Sequence, residues 1–240
     1  MCVVQSGWTR VVFRVSILSL LSSLCAAQQP NPASVIRLVD AAVAVRFDNV
    51  LGFTDVEHYA VYRGNDETHP AAQMTVKDTY RKGVGKTYTV LSESGSSILL
   101  HFGLRPLLDS EQAINQPGNV ERSWFNSSNY EMKLSSPAAQ KLNGRDCLAL
   151  DITPKEKAAN LIVGTMWVDA RDGTLAKIEG VASKDPSPFS GTTHMMRQYT
   201  NISGFSMATH ARAESESPLF GHTVVTIDYS DYKLELTPRK

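Results

Sequence analysis

The chain has 240 residues, 42% of them hydrophobic and 20% charged, and its 24 basic and 24 acidic residues balance to a formal net charge of zero. That composition suits one or two globular domains. It lacks the basic excess on which nucleic-acid binding depends, and no internal repeat or low-complexity tract is visible, so no nucleic-acid partner is expected.

The first residues stand apart. Arg10 and Arg14 precede the run VSILSLLSSLCAAQQ, which ends in small residues. A basic start, an apolar middle and a small-residue end are the layout of a secretory signal peptide. The apolar run is too short and too serine-rich to span a bilayer comfortably. Residues 1–27 are therefore read as a signal peptide, with cleavage after Ala27, and residues 28–240 as a single exported domain. Losing Arg10 and Arg14 leaves 24 − 2 = 22 basic against 24 acidic residues, a net charge of −2. Cys25 allows a second reading, a lipid-modified N terminus. Such attachment wants a small residue just before the cysteine, and this chain has Leu24. With Cys2 and Cys25 removed, Cys147 has no partner for an internal disulfide and reads as a small buried residue rather than a nucleophile. Stability must then come from core burial, for which roughly 210 residues suffice.

Along the mature chain, Asn31-Pro32 forms a helix start, an N-cap followed by proline at the first helical position. Ile36, Val39, Val43 and Phe47 recur at helical spacing, with Arg37, Asp40 and Arg46 off that stripe, so the pattern predicts an amphipathic helix over 32–47. The period then changes to two. Met74, Val76 and Tyr80 alternate with polar residues, as do Leu148, Leu150 and Ile152, then Phe205, Met207 and Ala211, then Val225, Ile227 and Tyr229. This is the mark of antiparallel strands with one buried face. Further strands are expected at 56–64, 86–94, 129–134, 161–169, 174–182 and 193–201, about ten in all. One short helix interrupts them at 104–116, between Pro106 and Pro117-Gly118. No linker divides the chain.

Residues 164–180, GTMWVDARDGTLAKIEG, read as a hairpin with a type I turn and a left-handed Gly173. That register sets Ala170 opposite Thr174, Val168 opposite Ala176, Met166 opposite Ile178 and Gly164 opposite Gly180. Trp167 then lies across from Lys177 on the outer face, where its ring can cover the lysine stem.

Catalytic signatures are missing: there is no G-x-S-x-G, H-E-x-x-H, P-loop or paired C-x-x-C. No enzyme activity, cofactor or metal is expected. His194 and His210 would face each other across a hairpin centred on residue 202, with His222 one strand on, but they read as solvated surface histidines rather than metal ligands.

A leading helix, a long antiparallel sheet and a mid-chain helix, together with GTMWVDARDGTLAKIEG, YTNISGFSMATH and GHTVVTIDYSDYKL, resemble the LolA/LolB-type carriers of bacterial lipoproteins. The resemblance implies an incomplete, half-open antiparallel β-barrel of about ten to eleven strands covered by helices, mainly β with a few helices. It also implies a periplasmic location and an apolar cavity that receives acyl chains. Physics points the same way, because a sheet of about ten strands curls and leaves a concave face. Two short helices would not fill it, and residual apolar space suits a lipid. Six methionines after residue 27, Met74, Met132, Met166, Met195, Met196 and Met207, would line it softly. The expected cavity residues are Leu148, Leu150, Met166, Ile178, Met207 and Ile227. The expected function is a periplasmic carrier or chaperone for an acylated ligand, a lipoprotein or another lipid. It would act as a monomer, with envelope membrane proteins as further partners. The alternative is a non-transporting envelope sensor using the same barrel.

Overall fold

The computed structural model describes residues 30–184, 192–217 and 221–238. The expected signal peptide, with Cys2 and Cys25, lies outside the described residues.

Helix α1 (Pro32–Asn49) begins where its cap predicts. The Asn31 side chain accepts the Ala33 N–H at 3.0 Å, and Pro32 fills a position that needs no donor. Among the described residues ten strands follow: β1 (Val50–Arg63), β2 (Ala72–Arg81), β3 (Gly85–Gly95), β4 (Tyr130–Leu142), β5 (Arg145–Pro154), β6 (Ile162–Asp169), β7 (Leu175–Ala182), β8 (Thr193–Ile202), β9 (Phe205–Ser217) and β10 (Gly221–Leu236). They form one antiparallel sheet in the order β3-β2-β1-β10-β9-β8-β7-β6-β5-β4. β3 and β4 remain as edges, so the barrel is half-open.

The second helical region differs from its expected 104–116. It starts at α2 (Ser97–Leu99), passes through a π-helical turn at Leu100–Leu104 and ends as α3 (Arg105–Ile114). Gly103 and Pro106 signal a break in the sequence, but the wider π turn carries the chain past them. Leu100, Leu104 and Leu108, spaced by four, form the buried stripe. Among the described residues no helix is long and apolar enough to cross a membrane.

Two apolar clusters occupy the inner face. One lies under α1 and joins Val35 and Val39 to Leu148, Leu150, Ile152, Ile162, Met166, Val168 and Ile178. The other lies under the second helical region and joins Leu100, Leu104 and Leu108 to Tyr59, Val61, Met74, Val76, Ala211 and Ile227. Gly164 and Gly180 sit opposite each other, and a Cβ on either would collide with the other's backbone. The pair lets β6 and β7 approach closely where the sheet curls.

The β6–β7 hairpin keeps most of the expected register. Met166 faces Ile178, Gly164 faces Gly180 and Trp167 faces Lys177. Its turn is one residue longer than expected: the Asp169 N–H bonds Thr174 O at 2.8 Å, so Asp169, not Ala170, opposes Thr174. Val168 consequently pairs with Leu175 rather than Ala176, and a bulge between Trp167 and Val168 restores the register beyond it. Gly173 has φ +73°, and the backbone of α1 at Leu38 packs against it so closely that a Cβ would not fit. Trp167 is on the outer face, with the Lys177 ammonium 5.1 Å from its ring centre and its Nε1 donating to Gln140 Oε1 at 3.2 Å. It pairs with Ala149 of β5, whose neighbour Cys147 is fully buried as expected.

Candidate functional site

The six expected cavity residues are all buried, but not as the wall of one open space. Leu148, Leu150, Met166 and Ile178 are packed under α1, and Ile227 belongs to the cluster under the second helical region. Met207 lies on β9, 2% exposed, with its Sδ 3.7 Å from Nη2 of Arg46. The helices fill more of the trough than their length suggests, because both set a row of branched apolar side chains straight onto it.

Sequence reasoning missed the charged groups on the same face. β1 projects Asp55, Glu57 and Tyr59 inward in phase with Val61, and β2 projects Asp78 in phase with Met74 and Val76. Lys86 of β3 reaches into them. Its ammonium lies 2.8 Å from Glu57 Oε1 and 3.1 Å from Glu111 Oε2 of α3, and it pairs with Asp78. The Tyr59 hydroxyl donates to Glu57 and, at 3.3 Å, to Glu111. Arg197 of β8 lies 3.6 Å from the other Glu111 oxygen. Three carboxylates thus share two cations, and a fourth, Asp55, is buried beside them without an ion pair.

Burial pushes the Asp55 carboxyl up to about 7, with Glu57 adding to the shift. Burial likewise raises Glu57 to about 8, Glu111 and Asp78 reinforcing it against the pull of Lys86. Burial also raises Asp78. Glu111 goes the other way: burial would raise it, but Lys86 and Arg197 together hold it below the usual range. Lys86 is raised well above its ordinary value, because Glu111, Glu57 and Asp78 outweigh the penalty of burial. Chemically the cluster ties α3 to the sheet and can take up protons near neutrality. Asp55, Glu57 and Asp78 offer oxygens within 4.8 Å of one another, a spacing open to a hard cation. The Lys86 ammonium already serves as the cation for Glu57 and Asp78.

Arg46, expected off the apolar stripe of α1, instead reaches over the middle of the sheet. Burial lowers its pKa, against the opposing influence of the phenols of Tyr199, Tyr232 and Tyr80. Phe53 stacks on Tyr80 at 5.2 Å and lies 5.9 Å from Tyr232, so an aromatic patch adjoins the arginine. Phe47, next to Arg46, packs on Trp124 at 4.4 Å. Two shallow hollows lie near Phe53 and Tyr232, at the paired ends of β1, β2 and β10. One of about 250 Å³ is lined by Phe53, Tyr80 and Leu234, and another of about 450 Å³ by Asp55, Lys77 and Tyr232.

The histidines do not converge. A register shift between Gln198 and Tyr199 sets His194 opposite Glu214 and His210 opposite Gln198. His210 bonds Asp228 at 2.7 Å, and His222 lies 3.3 Å from Glu216.

No protein-family model and no curated protein matches the sequence. Among solved structures the chain path is similar to a LolA superfamily protein from Nitrosomonas europaea, at 14% identity and TM-score 0.45, covering 87% of this chain and 96% of that one. It is similar to a DUF1329 family protein from Desulfovibrio piger, at 15% identity and TM-score 0.44, covering 86% and 94%. A domain named for outer membrane lipoprotein sorting, from Vibrio parahaemolyticus, matches at 12% identity and TM-score 0.48, covering 85% and 94%. The likeness concerns the fold, and no site residue is carried across.

Proposed function

We propose that the chain is an exported, monomeric binding protein, formed by residues 28–240 after loss of residues 1–27. It takes an acylated or otherwise amphiphilic ligand onto the concave face of its half-open sheet, and it works in the periplasm as a carrier or chaperone of lipoprotein-type cargo. The observation that carries this reading is the inner face itself: two apolar clusters flank a belt of charged and phenolic groups. An apolar surface alone would serve only as core, whereas apolar walls beside fixed polar groups match both parts of an amphiphile. The cluster under α1 has no ionised side chain among its buried members, so an acyl chain can pack along it without burying a charge. Leu148, Leu150, Met166 and Ile178 would then contact the chain, with Met207 and Ile227 toward the polar belt.

Native mass spectrometry of protein purified from its own envelope tests the proposal. A co-purifying amphiphile is expected, and reproducibly empty protein that also fails to bind a spin-labelled fatty acid would refute it. Met207→Glu should weaken fatty-acid binding by at least roughly tenfold, because it sets a carboxylate beside Arg46, where it competes with the ligand's own and polarises the inner face. His210→Glu, on the outer face, should leave binding unchanged.

A further inference from the structure

We infer that Arg46 anchors the oxyanion headgroup, phosphate or carboxylate, of an amphiphile lying in the trough. This deepens the proposed carrier reading and rests on it.

A guanidinium carries five N–H donors in a planar fork and stays charged in proteins. Arg46 spends one of them on the Met207 thioether, a weak acceptor, at 3.7 Å. Its Nε is buried with no hydrogen-bond partner. Among the described residues no carboxylate lies within 4.0 Å of it, although the other charged groups of the inner face, Lys86 and Arg197, are both paired. Its place in the last turn of α1 favours a positive charge. That favours the cation without supplying an acceptor for the fork. Glu121 is the acid to weigh against this, since its Oε2 is also buried without a partner and it acts, like Arg46, on Tyr80.

A half-buried guanidinium whose buried Nε has no acceptor is satisfied by a planar or tetrahedral oxyanion. The phenols of Tyr199, Tyr232 and Tyr80 around it add O–H groups able to donate to the same anion. The apolar side chains on either side fix where the rest of the ligand goes. A chain leaving the headgroup across Met207 runs toward Met166 and Ile178, because β9, β8, β7 and β6 are successive neighbours in the sheet. The geometry therefore calls for an anionic, not a cationic or zwitterion-free neutral, head.

The test compares three probes, dodecyl phosphate, dodecyl maltoside and inorganic phosphate, by calorimetry on the mature chain and on Arg46→Met, Arg46→Lys and Glu121→Gln. Dodecyl phosphate should bind the parent protein, and Arg46→Met should weaken it by about 10- to 100-fold, the worth of charge-assisted hydrogen bonds. Arg46→Lys should recover only part, because a point charge lacks the fork. Dodecyl maltoside should bind all four proteins alike, and Glu121→Gln should bind dodecyl phosphate at least as well as the parent. The melting temperature of Arg46→Met should equal or exceed the parent's, since a half-buried charge with no carboxylate partner has been replaced by an apolar side chain. Undiminished dodecyl phosphate binding by Arg46→Met overturns the inference while leaving the carrier reading intact if the maltoside binds. A lower melting temperature in Arg46→Met, matched by Glu121→Gln, marks a structural pair and also overturns it. Arg46-dependent binding of inorganic phosphate as tight as dodecyl phosphate assigns the site to a free anion and overturns the headgroup. Failure of both dodecyl probes removes the carrier reading along with it.

Discussion

The two halves of the concave face are covered by helices in different ways. Under α1 the buried contacts are mainly apolar, Val35 and Val39 against Leu150, Met166 and Ile178, and the helix's directional ties lie outside that cluster, where Asp40 accepts from the Ser127 N–H and hydroxyl at 2.7 and 2.6 Å. Under the second helical region the leucines are joined by Glu111, which binds Lys86, faces Arg197 and accepts from Tyr59. Tyr88 adds a bond to Asp109 at 2.8 Å, and Arg105 a pair with Glu93 at 2.6 Å. Dispersion contacts are non-directional and can be exchanged for another hydrocarbon. Ionic contacts in a dry site are directional, and breaking one leaves its partner stranded. One cover thus rests mainly on exchangeable contacts and the other is locked by buried ionic ones.

The sharpest way to break that contrast is to remove the lock. Lys86→Met leaves Asp55, Glu57, Asp78 and Glu111 facing one another with Arg197 alone, and it is expected to cost about 3–5 kcal/mol in urea denaturation. Val39→Ala, on the exchangeable side, loses about two methylene-sized groups and should cost about 1–2 kcal/mol. Equal losses would erase the distinction. A smaller effect follows from pH. Asp55 and Glu57 are raised to about 7 and about 8, so the folded state holds their protons more tightly than the unfolded chain does. Their contribution to stability is complete below the ordinary carboxylate range and is lost as pH rises through about 7 and then about 8. Hydrogen exchange in α3 should therefore accelerate over that window more than in α1, and Asp55→Asn with Glu57→Gln should flatten the response. A flat response in the parent protein would contradict it. The smallest effect is expected at Cys147, which is fully buried on the outer face and whose thiol is pushed up by burial. Cys147→Ala should cost about 1–2 kcal/mol and leave ligand binding unchanged. Lost binding without lost stability would give the thiol a role in the ligand site.

All ten strands and α1 were legible, because one buried face per strand writes a period of two and a capped amphipathic helix writes its own start. The locked half was not. Asp78 shares its phase with Met74, Val76 and Tyr80, and reading the apolar members of that row passes over the acid among them. Arg197 is hidden in the same way between Met195 and Tyr199. A charge at a core-phase position was the available signal, and its meaning depends on partners from β1, β3 and α3 that no local pattern brings together. The start of the second helical region was obscured by Gly103 and Pro106, which break an α-helix but not a π turn. The β6–β7 turn failed by one residue, since a bulge shifts pairing without altering composition, and the histidine register failed by four, since the β8–β9 turn lies at Ser203-Gly204 rather than at 202 and a bulge adds one residue more.

The strand order carries one more consequence, for how the chain folds. Eight of the nine strand pairings join sequence neighbours, so β1 to β3 and β4 to β10 are two meanders. The single long-range seam is β1 against β10, from Val50 with Leu236 to Arg63 with Thr223. Local hairpins can zip early, whereas that seam must first pay the entropy of closing nearly the whole chain into a loop. Sheet completion is thus expected to be the slow step, and an intermediate with both meanders formed would expose two unpaired edges and half-built apolar faces. A circular permutant opened between β3 and β4, with β10 tethered to α1, would make the seam local and should refold faster than the parent chain.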